Sequence, residues 1–133
     1  MVKHHGVHFL EKKHEKLVLN SSNKNDVLKL LGEPSTKSTF DNDVWIYIER
    51  KVSTGKIYYL GKEKLIVNNV LVLELNNMGL VASKKLYNID DMNKLTFAEN
   101  STDPKYRKRS FVYDFLSSMR QKINDPLGKR KNK

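Results

Sequence analysis

From about Phe40 to Tyr87 the apolar residues recur at every second position, and a period of two obliges the middle of this chain to form a sheet. Three runs carry the pattern. Residues 44–50 are β-branched and aromatic and read as a first strand, with Trp45 and Tyr47 on one face and Ile46, Ile48 and Arg50 on the other. Residues 65–76 read as a second strand, in which Leu71, Leu73 and Leu75 oppose Val70, Val72 and Glu74. Asn76, Asn77, Met78 and Gly79 form a turn, since Asn and Gly tolerate positive φ, and residues 80–87 return as a third strand. Residues 53–56 read as loop, and 57–60 as a short apolar patch whose state the pattern leaves open.

Helices flank this core. A short one over 8–16 is held by Phe9, Leu10 and Leu17, and residues 21–23 end it. Asn23 is a good N-cap for a second helix, with Asp26 in the capping-box position and Val27, Leu28, Leu30 and Leu31 as the apolar face. Gly32 falls where a left-handed residue closes a helix, and Pro34 prevents its resumption. Far downstream, Phe111, Phe115, Leu116, Met119 and Ile123 make one stripe of a helix over 108–124 that Pro126 and Gly128 stop. The expected fold is α+β: two short helices on a three-stranded antiparallel sheet (ααβββ), plus a C-terminal amphipathic helix. Residues 1–100 are read as the domain and 101–133 as a basic tail, its last five residues solvated.

Composition matters through its distribution. The formal net charge is +10, but residues 101–133 hold ten Lys/Arg against three Asp, so the basic character belongs to the tail. The chain has no cysteine, which removes disulfides, zinc–thiolate sites and thiol nucleophiles. No run of 18 apolar residues is present to span a bilayer, and residues 1–5 are followed by no apolar core of a signal peptide. The expectation is a cytoplasmic protein or a mature form lacking its targeting segment.

His4, His5, His8 and His14 invite a metal reading, yet no further His or carboxylate completes a ligand shell, so no metal is expected. Neither a nucleophile elbow, a Gly-rich phosphate loop nor paired carboxylates in apolar surroundings occur, so no enzyme and no cofactor are expected. Trp45 and Tyr47 read as core against the helices. Ile46 beside Arg50 on an exposed face makes a docking spot for protein or anionic lipid. The basic helix has three readings: packing on the domain or a partner, lying on an anionic membrane, or binding nucleic acid, in that order. Packing would close the open sheet face, which otherwise leaves Val70 and Val72 wet.

The segment 25–35, a short helix ending in Leu30-Leu31-Gly32-Glu33-Pro34, resembles the signature of the SmpA/OmlA (BamE-like) small lipoproteins of the outer-membrane β-barrel assembly machinery. Trp45-Ile46-Tyr47 matches that family's tryptophan-x-tyrosine strand, and Leu71 to Gly79 matches its alternating strand and hairpin. The likeness is strongest over 8–88. It implies an ααβββ domain, tethered by an N-terminal lipid at the periplasmic face of the outer membrane, bridging the barrel subunit and a helical-repeat lipoprotein. The lipid-bearing cysteine and signal peptide are absent from this chain, Asn23 replaces a threonine-type cap, and the basic tail after residue 100 is larger than the compact members need, so the resemblance assigns it no role. The family's partner surface involves the first strand, so Ile46, Arg50 and Phe40 are the expected partner or lipid contacts. Lys105, Arg107, Arg109, Phe115 and Met119 are the expected tail contacts. The implied function is non-catalytic support of β-barrel assembly, with other assembly subunits and anionic phospholipid as partners. Its rivals are a cationic domain binding nucleic acid or anionic lipid through the tail, and a secreted inhibitor-like module.

Overall fold

The computed structural model describes residues 2–54, 63–94 and 105–124. The elements run β1 (Val2–Gly6), α1 (Leu10–His14), α2 (Lys24–Leu31), β2 (Thr36–Thr39), β3 (Asp43–Thr54), β4 (Glu63–Leu75), β5 (Val81–Tyr87), α3 (Ile89–Asn93) and α4 (Tyr106–Asn124). The α+β architecture is as the periodicity requires, and the C-terminal helix is present. The patch at 57–60, the stop at Pro126 and Gly128 and the tail beyond lie outside the described residues.

The sheet has five strands, two more than the periodicity predicts. β3, β4 and β5 form the antiparallel meander, with Trp45 opposite Leu73 and Leu71 opposite Leu86. The two additions both pair with the outer edge of β3: β1 along residues 49–53 and β2 along 43–46. They are short and polar, so neither has a period to read; their partner strand determines their state. Gly6 closes β1 at φ +86°, where a Cβ would collide with the carbonyl oxygen of Ile48.

Each face of the sheet carries its own core. On one, Trp45 and Tyr47 with Leu71, Leu73 and Leu75 pack against Leu10, Leu17, Val27 and Leu31 of the first two helices and their connection. On the other, Val44, Ile46, Val70 and Val72 pack against Met92, Leu116 and Met119. The sheet is thus the middle of three layers, and α4 lies on the face that α1 and α2 leave open.

Local chemistry sets the helix ends. The Asp26 amide donates to Asn23 Oδ1 at 2.9 Å and the Asn23 amide to Asp26 Oδ2 at 3.0 Å, a complete capping box. Gly32 has φ 79° and ψ −158°, an extended mirror-image conformation and not the left-handed helical one expected. On the sheet face beneath α2, the Tyr47 hydroxyl donates to Gly32 O at 2.7 Å. In the hairpin, Asn76 Oδ1 accepts from the amides of Met78 and Leu80. α3, unanticipated, opens with a second capping box between Asn88 and Asp91.

Candidate interaction surface

The residues singled out on β3 meet different fates. Ile46 is fully buried beneath α4, which corrects its expected place on an open face. Met119 is likewise internal, and Phe115 packs partly buried against the same cluster. The cause is α4 itself: its stripe is apolar enough to occupy the sheet face that exposure of Ile46 would have required. Phe40 remains half-buried, its ring tilted against Phe111 with centroids 5.7 Å apart. Arg50 is half-buried midway along β3, opposite His5 and Asn68, and its Nε is enclosed with no hydrogen-bond partner.

α4 is held by charge as well as by apolar contact. Lys108 lies on the helix's apolar side, only 7% exposed, and donates to Asp41 Oδ1 at 2.9 Å and Glu74 Oε1 at 3.0 Å. Burial alone would push its ammonium down; the hydrogen bonds to Asp41 and Glu74 prevail and hold it above the ordinary lysine range. The bond to Lys108 holds the Asp41 carboxyl below the usual carboxylate range. One of the tail's cations is therefore an internal clamp and not a free charge. The clamp and the Phe40–Phe111 contact bring the 40–42 turn against the start of α4, where Lys105 and Arg107 are exposed and Arg109 is half-buried. Phe40, Asp41 and Lys108 thus meet at one corner of the domain, while Arg50 lies further along β3.

Midway along β3, Glu49 organises the N-terminal segment. Its Oε1 accepts the Leu10 amide at 2.9 Å, and its Oε2 accepts the Phe9 amide and His4 Nε2, each at 3.0 Å. Burial raises this carboxyl, but His4 and the two amides together bring it below the usual glutamate range. Phe9, the N-cap of α1, has no capping side chain of its own and sits at φ 58°. His4 and His8 meet as stacked rings with centroids 3.6 Å apart. Among the described residues no group of three or more His, Cys, Asp or Glu has a metal-binding arrangement. Lys84 completes the scaffold by donating to the carbonyls of His14 and Leu17, closing the end of α1.

Glu49, Lys84 and Lys108 were not singled out by the sequence reading. Two carried a signal: Glu49 continues the Trp45–Tyr47 face, and Lys108 falls on the stripe of Phe111, Phe115 and Met119. A charge on an apolar face asks for a partner.

The family model of the outer membrane protein assembly factor BamE domain matches residues 7–85. The chain belongs to this family. Its BamE domain runs from the segment that Glu49 ties down to Lys85 near the end of β5, and so takes in both early helices and the meander. Membership connects the chain with outer-membrane protein assembly. No curated protein and no solved structure matched the chain in the comparisons. The last residue of β5 included, Lys85, precedes α3 and α4, so the layer that covers Ile46 lies outside the matched BamE domain. Among the described residues no helix is long and apolar enough to cross a membrane.

Proposed function

We propose that this chain is a non-catalytic accessory subunit of the outer-membrane β-barrel assembly machinery, acting at the periplasmic face of that membrane. The observation that carries the reading is the family match over residues 7–85, which takes in α1 and α2 packed on one face of the β3–β4–β5 meander. Such a subunit works by mass action, stabilising one arrangement of larger partners through the surface it binds. With Ile46 covered, the contacts fall to the corner where Phe40 meets the start of α4. There the exposed Arg107, in a helix start that also carries Lys105 and Arg109, and the half-buried Phe40 are the surface offered to a partner subunit or to anionic phospholipid.

The test is biochemical and genetic together. Depleting the protein in its own bacterium lowers the level of folded outer-membrane β-barrels, and the tagged chain co-purifies with the barrel subunit of the machinery. Exchanging Lys105 and Arg107 for Glu weakens that co-purification while the melting temperature holds. Unchanged barrel levels with no co-purification would sink the reading.

A further inference from the structure

Phe9 costs the fold stability and contributes little packing. It is 63% exposed and belongs to neither core, although Leu10 beside it is fully buried. Its backbone sits in the left-handed region at φ 58°, which a bulky side chain rarely adopts. Glu49 holds its amide there at 3.0 Å. Its ring centroid lies 6.3 Å from that of His8, which in turn stacks on His4. A strained backbone that displays an aromatic ring to solvent points to a contact outside the fold.

Phe9 borders an open recess of about 560 Å³, within the range of roughly 300–1,000 Å³ typical of small-molecule sites. Lys12 of α1 and Lys51 of β3 line it with ammonium groups, Glu11 and Asp90 with carboxylates, and Asn69 of β4 with an amide. Among the described residues none of these five side chains has a hydrogen-bond or ion-pair partner. The backbone amides nearby are already spent. Glu49 takes those of Phe9 and Leu10, and the Asn88 box takes those of Asn88 and Asp91. The polar capacity that remains is a set of side chains, two positive, two negative and one neutral. Their charges cancel, so the recess prefers neither an anionic headgroup nor a cation. It offers donors and acceptors beside an apolar ring.

We infer that this recess is a binding site for a neutral saccharide, with one sugar ring laid against Phe9. A pyranose presents C–H groups on its faces, which an aromatic ring attracts, and hydroxyls on its rim that both donate and accept. The two ammonium groups and Asn69 supply donors to that rim, and the two carboxylates supply acceptors, with no net charge to balance. A concave site with five uncommitted polar side chains suits a hydroxyl-rich ring better than the apolar patch of a protein partner. The site goes beyond the assembly role and does not rest on it. One wall, Asn88 to Asp90, lies past the matched domain, so the recess is completed by the extension and not by the family domain alone.

The test uses the full chain, with chitotriose and maltotriose as neutral probes and glycerol phosphate as an anionic one. In amide-shift mapping at least one trisaccharide moves the amides of residues 9–12, 49–51, 69 and 88–90. The shifts persist in about 0.5 M salt, since no net charge is there to be screened. Phe9→Ala weakens the binding by about tenfold, and Phe9→Trp retains it. Phe9→Gly loses binding to the same extent at an unchanged melting temperature, because glycine accepts φ 58° without strain. No shifts with either trisaccharide, shifts elsewhere, equal shifts with glycerol phosphate, binding that vanishes in salt, or full binding by Phe9→Gly would each overturn the inference. Co-purification with the barrel subunit is independent of all these outcomes, so the two readings fail separately.

Discussion

Glu49, in the middle of β3, accepts the amide proton of Leu10 at 2.9 Å and thereby caps a helix from the neighbouring layer. Short-range capping uses a Ser, Thr, Asp or Asn at the helix start, and α1 has Phe9 there instead. Glu49→Ala leaves two amides without their acceptor, one of them on fully buried Leu10. The expected cost is about 2–3 kcal/mol in denaturant unfolding, with Glu49→Gln losing about half as much.

The same carboxylate gives acid stability a direction. Its native value lies below the ordinary 4.5, so its contribution is fully present above that value and is lost as pH falls through the lowered one. Unfolding measured from neutral pH downwards shows a steeper loss of stability below the ordinary glutamate range in the unmodified protein than in Glu49→Gln. Equal slopes would mean that other carboxylates govern the acid limb.

Lys108 and Glu74 behave as a coupled pair. Lys108→Met leaves Glu74 facing an apolar helix and costs about 1–2 kcal/mol. Glu74→Leu in that background restores most of the loss, because a partly buried ion pair is replaceable by packed apolar groups. A double-mutant cycle measures this; simple additivity would mean that the contact contributes nothing.

Ile46→Ala separates core from contact. A fully buried Ile at the centre of the second core costs about 2–5 kcal/mol on truncation and releases α4 before the rest of the domain. Hydrogen exchange sees the α4 amides open first, while those of α2 stay protected.

Gly6→Ala strains a backbone at φ +86° and drives a methyl into Ile48 O. A cost of about 1–3 kcal/mol is expected, localised to β1. The Val7 amide, bonded to that same oxygen at 2.9 Å, becomes the reporter, exchanging faster than the β4 amides.

What the sequence could announce was whatever repeats or caps locally. The Asn23 box, the Gly32–Pro34 exit and the Trp45–Tyr47 alternation all express themselves within a few residues, and the structure has them in place. α3 was equally legible, since Asn88 and Asp91 repeat the spacing of Asn23 and Asp26. β1 and β2 were not, because a polar edge strand borrows its conformation from β3. The place of Ile46 depended on what lies above it, a tertiary fact that periodicity does not encode. Yet Lys108 and Glu74, two opposite charges each set in an apolar stripe, pointed to the pairing that brings the cover down.

The outer side of β3 is shared between two strands that come from either side of the first two helices. Val7 donates to Ile48 O and Ser35 to Ile46 O, so β1 and β2 follow one another along β3 across consecutive outward carbonyls. A long hydrophobic strand with a bare edge is a template for pairing with another molecule. Here that template is taken up by two segments with different anchors, one tied through Glu49 and the other leading out of α2. Release of either segment uncovers only half of the edge, and colliding chains find too short a stretch to zip together.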